Sequence, residues 1–122
     1  MTTIIEKLVG DLGDKKRYRE YKARVKALSA PYRTAGAGLE RYLMHFGPTS
    51  DGKLLVDMLV DLAELLERSE ADGIAVRDLV GEEPVEFAEE FLANYPGGSW
   101  VRKERERLAS TIDTAVGEEA AR

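Results

Sequence analysis

Residues Gly52–Ala71 read GKLLVDMLVDLAELLERSEA, and this stretch decides the fold. Leu54, Leu55, Met58, Leu59, Leu62, Leu65 and Leu66 recur at steps of three and four, the spacing that lines one face of a helix. Val56, Val60 and Ala63 widen the stripe, while Asp57, Asp61, Glu64, Glu67 and Arg68 hold the solvated side. A helix with so much apolar surface is not stable alone in water and requires other helices against it. The stretch therefore predicts an all-α fold: a compact bundle of roughly five to seven helices around a central helix at about 52–71. Residues 1–122 are expected to form one domain, with 117–122 fraying.

The neighbours of this helix follow from breakers and periodicity. Ile4, Ile5, Leu8, Val9 and Leu12 predict a short amphipathic helix, softened by Gly10 and Gly13. Asp14 is the expected N-cap of the next, DKKRYREYKARVKAL, with Tyr18, Tyr21, Val25 and Leu28 as its apolar stripe. Ser29-Ala30-Pro31 reads as a restart, because proline is tolerated in a first helical turn. The helix it opens buries Tyr32, Ala35, Leu39, Tyr42, Leu43 and Phe46, and its Gly36 and Gly38 imply either a close neighbour or a bend. Gly47–Gly52 reads as a loop, with Ser50 or Asp51 as cap of the central helix. Gly73 is placed for a left-handed C-terminal cap, a short element 74–80 follows, and Gly81 ends it. After Glu82-Glu83-Pro84, a helix carries Phe87, Ala88, Phe91, Leu92 and Tyr95 inward. Beyond Pro96-Gly97-Gly98, Ser99 caps a last helix whose stripe, Val101, Leu108, Ile112, Ala115 and Val116, is expected to face the core.

Charge is unevenly spread. The chain has 18 Lys+Arg against 23 Asp+Glu, a net of −5. Residues 1–33 hold nine bases and four acids, residues 34–98 hold four and fourteen, and residues 99–122 hold five of each. The basic first third either docks on an acidic partner or neutralises the acidic middle of its own fold, and the second is the simpler expectation. There is no cysteine, hence no disulfide, thiolate nucleophile or thiolate metal site. No apolar run reaches the length of a membrane span, and the N-terminus lacks a signal-peptide pattern, so a cytoplasmic location is expected.

Catalytic constellations do not assemble. The single histidine, His45, stands at a helix C-terminus between Met44 and Phe46, a capping position. GPTSDGK has a lysine but not the spacing of a phosphate loop. The acids Asp78, Glu82, Glu83, Glu86, Glu89 and Glu90 offer oxygens to a hard cation, yet a helix first turn and a solvated flank explain the same residues. A ferritin-type di-iron site needs a Glu-x-x-His pair, and Tyr42 stands three before His45. A sequence pI near 5.0 opposes a nucleic-acid surface, whose affinity comes largely from counterion release. The tyrosines Tyr18, Tyr21, Tyr32, Tyr42 and Tyr95 read as core-edge packing rather than a ligand cage. No cofactor is expected.

GDKKRYREYKARVKAL followed by PYR, and later DGIAVRDLVGEEPVEFAEEFL, resemble the bacterial domain-of-unknown-function family 1048. The resemblance covers roughly residues 5–116. It implies a small all-helical cytoplasmic protein, often encoded beside a PadR-type transcriptional regulator, and for some members a label of DNA-binding ferritin-like protein. It implies no catalytic residues.

The expectation is a non-enzymatic interaction or regulatory protein, linked through the resemblance to a PadR-type regulator. The alternatives are a DNA-binding or ferritin-like metal-binding protein and a small acidic-site metal binder. Two features mark an interaction surface: the basic flank Lys15, Arg19, Lys22 and Lys26, and Trp100 after the Gly97-Gly98 hinge. Trp100 either reaches outward to a protein partner, a second copy being the most economical, or folds back over Phe91, Leu92 or Tyr95.

Overall fold

Asp51 begins the central helix as the sequence leads one to expect. Its carboxylate accepts from the Leu54 backbone N–H at 3.2 Å, and the helix α3 runs Gly52–Ala71. The computed structural model describes residues 12–47 and 51–121. The expected helix around Ile4–Leu12, the loop residues 48–50 and a cap from Ser50 lie wholly or largely outside them. Among the described residues there are six helices and no strand: α1 (Leu12–Lys26), α2 (Ala30–Phe46), α3, α4 (Val76–Val80), α5 (Pro84–Leu92) and α6 (Trp100–Ala120).

The core is the stripe of α3 and what lies on it. Leu55, Val56, Met58, Leu59, Leu62, Ala63 and Leu66 are all buried. Against them pack Tyr21, Val25 and Leu28 from α1 and its end, Tyr32, Leu39 and Leu43 from α2, and Ala88 and Leu92 from α5. Each fully buried apolar side chain contributes about 1.5–3 kcal/mol, enough for α3 to fix the positions of its neighbours. Gly36 lets α2 approach: a Cβ there would meet Leu66 Cδ1 at 3.1 Å and Val25 Cγ1 at 3.2 Å. Gly38 has no such reason, since its Cβ would meet nothing within 4 Å.

Polar groups lock the ends. At the end of α3, Gly73 sits at φ 73°. Its N–H donates to Glu70 O and the Ile74 N–H to Ser69 O, both at 3.0 Å, a Schellman cap. The Tyr32 hydroxyl donates to the Ile74 carbonyl and ties α2 to that turn. Across α1 and α3, Arg17 donates to Asp57 at 2.6 Å, and Arg24 donates to both Glu67 oxygens at 2.6 and 3.1 Å. The bases of the first third thus neutralise acids of the middle.

Three expectations change. Asp14 lies inside α1, which is helical from the first described residue, Leu12, rather than capping it. The last helix continues through Gly117 to Ala120. Its stripe does not reach the core: α6 has no buried residue, and Leu108, Ile112 and Val116 are 63%, 53% and 57% exposed. Periodicity identifies an apolar face but not its partner, and here the chain offers none among the described residues.

Candidate functional site

Helices α2, α4 and α5 leave an open groove of about 600 Å³, lined by Leu39, Tyr42, Val76, Val80, Val85 and Ala88. Gly38 also lines it. Polar groups at the groove are spent within the chain: Arg77 Nη1 donates to the Gly81 carbonyl at 2.8 Å, and the Tyr42 hydroxyl to Glu89 at 3.1 Å. What remains is an apolar trough with Val85 47% exposed along it.

Glu89 holds the start of α6. Arg105 Nη1 donates to its Oε1 at 2.5 Å and Arg102 Nε to its Oε2 at 3.4 Å. With Tyr42 this makes three donors on one carboxylate, whose side chain is only 14% exposed. Burial first, then the hydrogen bond to Glu89, pushes the Tyr42 phenol upward from its ordinary value. The first turns of α6 are therefore anchored by charge, and the rest of the helix departs with its apolar stripe uncovered. Sequence reasoning placed Glu89 in an acidic set open to a cation; its oxygens are committed to arginine and tyrosine instead. Among the described residues no group of three or more His, Asp or Glu is arranged to hold a metal ion.

The residues marked from sequence fall in two places. Lys15 is half-buried, and Arg19, Lys22 and Lys26 are exposed along α1. Lys22 pairs with Glu40 at 3.3 Å and lies 6.0 Å from the centre of the Tyr18 ring, so its charge is engaged by its own fold at the surface. Arg19 and Lys26 make no ion pair among the described residues. Trp100 is 49% exposed at the first position of α6, remote in sequence from that flank.

His45 is exposed at the end of α2, its Nδ1 donating to the Arg41 carbonyl at 2.8 Å. Leu108, Ile112 and Val116, expected in the core, are instead exposed. Their spacing was visible, but nothing in sequence distinguishes a stripe facing its own core from one facing outward.

Residues 9–113 match the family described as protein of unknown function, DUF1048. The chain belongs to that family. The DUF1048 match takes in α1 through α5, the groove between α2, α4 and α5, and α6 as far as Asp113, thus Leu108 and Ile112 of the stripe. No curated protein matches the chain. No helix among the described residues is long and apolar enough to cross a membrane.

Proposed function

We propose that this DUF1048 protein is a non-enzymatic interaction protein of the cytoplasm, acting in regulation alongside a PadR-type transcriptional regulator. The observation that supports it is α6, a 21-residue helix with an apolar stripe and no buried residue. A helix that is polar all round is content in water, whereas an amphipathic one gains by covering its stripe. Leaving a leucine, an isoleucine and a valine more than half in solvent forgoes about 1–2 kcal/mol for each that association would bury. The regulatory part rests on the family resemblance.

The test is calorimetric titration of PadR-type regulators from the same genome against the parent chain and an Ile112→Glu variant. Saturable binding that the variant weakens at least tenfold supports the reading. Absence of binding, together with a gel shift of duplex DNA that falls steeply with salt, would replace it with nucleic-acid binding. Tight stoichiometric uptake of Fe²⁺, Mn²⁺ or Ca²⁺ would replace it with metal binding.

A further inference from the structure

The stripe of α6 has a definite complement in the chain itself. We infer that α6 is the interface between two copies of this protein, paired antiparallel about a two-fold axis. The inference rests on the reading of α6 as an association helix and names its partner.

Charge along the helix selects the occupant. Residues 100–110 carry Arg102, Lys103, Arg105 and Arg107 against Glu104 and Glu106, a positive half. Residues 111–120 carry Asp113, Glu118 and Glu119 and no base. Counting Glu89 against the arginines it binds still leaves the first half with one positive charge in excess, against three negative in the second. Antiparallel pairing sets each positive half over the partner's negative half, twice. Parallel pairing stacks like on like, and it also aligns the helix dipoles unfavourably.

The apolar seam has the same symmetry. Leu108 and Ile112 lie near the middle of the helix, one turn apart, with Val101 toward one end and Val116 toward the other. Arg105, whose Nη1 also holds Glu89, and Glu119 lie on the line of the stripe, on either side of Ile112 and of opposite sign. Turning the helix end for end therefore places apolar centre on apolar centre and unlike charges beyond it. An isologous contact of this kind closes on itself and leaves no further face to recruit a third copy. The length suffices: 21 residues span about 31 Å, between five and six turns.

The experiment is sedimentation equilibrium of the full chain over a wide concentration range, for the parent and for Ile112→Glu. The parent is expected to dimerise reversibly, and the variant to raise the dissociation constant by at least about thirtyfold, the scale of a hot-spot residue. Because the chain has no cysteine, nitroxide labels on Glu104→Cys, Thr111→Cys and Glu118→Cys report direction. These positions share one flank of α6, seven residues apart. An antiparallel pair gives a short distance at 111 and distances longer by roughly 10–15 Å at 104 and 118, from the 1.5 Å rise per residue and a helix separation of about 8–10 Å. One distance at all three positions would overturn the antiparallel assignment. A monomeric parent overturns the dimer. If its Ile112→Glu variant then loses thermal stability, the stripe is covered within the chain itself. If instead the variant loses only regulator binding, the stripe belongs to a different protein and the interaction reading stands.

Discussion

Tyr21 shows what a residue adds beyond its place in a pattern. Its position on the buried stripe of α1 was readable from spacing, and it is 0% exposed. Among the described residues, however, its hydroxyl makes no hydrogen bond of ordinary geometry, although the Glu40 carboxylate lies close by. Burial, and after it the charge of Glu40, pushes the phenol far above its ordinary value. That circumstance was not legible, because it depends on how closely α2 brings Glu40 to α1. A buried polar group left unpaired costs about 1–3 kcal/mol, so Tyr21→Phe is expected to raise the urea midpoint at neutral pH. The pH dependence has a fixed sign. A phenol whose pKa is raised by folding contributes stability below about pH 10, and loses it as pH rises beyond the unfolded value. Tyr21→Phe should therefore also flatten the alkaline limb of the stability curve; a lower midpoint at pH 7 would show that the hydroxyl is satisfied by water. The two glycines of α2 make a second pair of contrasts. Gly38→Ala meets open space and should add about 1 kcal/mol through helix propensity. Gly36→Ala gains the same propensity but forces Leu66 and Val25 to give way by tenths of an ångström, so thermal melts should show a smaller gain or a loss.

At the scale of elements, α3 and α6 carry the same kind of stripe and meet opposite fates. The stripe of α3 is wide, flanked by short connections on both sides, and is covered by α1, α2 and α5. Leu62 is 1% exposed at its middle, so Leu62→Ala should cost about 2–5 kcal/mol in chemical denaturation. An unchanged midpoint would mean that α3 is not the central helix. The stripe of α6 is narrower and follows the Gly97 turn, at φ 75°, after which the Glu89 anchor returns the helix to the fold. Sequence made both stripes visible and assigned both to the core, since period measures which side of a helix is apolar and nothing about what lies opposite. Caps were more legible, because they depend on neighbours in sequence. The Gly73 cap is the example: alanine there must adopt a left-handed conformation, and Gly73→Ala is expected to lower stability by about 1–2 kcal/mol in the same assay. The groove among α2, α4 and α5 was not legible at all, as it exists only through the angle at which three helices meet.

For the whole molecule the deciding arrangement is of charge. The uneven distribution of bases and acids along the chain was plain from the sequence, but the pairing was not, because Arg17 and Arg24 reach carboxylates 40 and 43 residues away. On Asp57 burial opposes ionisation, but hydrogen bonds from Arg17 and Lys53 outweigh it and hold the carboxyl below its usual range. On Glu67 the Arg24 hydrogen bond lowers the value outright. A carboxylate depressed by folding contributes stability above about pH 4, its unfolded range, and that contribution disappears as pH falls through the lower folded value. The side chains of both pairs are about a third exposed, so each pair is worth no more than about 1 kcal/mol. The cleanest measure is a charge-reversal cycle. Arg24→Glu brings two carboxylates together and should lower the midpoint, Glu67→Arg should do the same with two cations, and the double variant should recover part of both losses. The coupling is expected at about 0.3–1 kcal/mol at pH 7 and near zero at pH 2, where the carboxyl is protonated. A coupling that survived at pH 2 would mean that Arg24 holds α1 on α3 by packing of its stem rather than by charge. Loss of coupling in 1 M salt at pH 7 would separate a screened surface pair from one that the interface of α1 and α3 shelters.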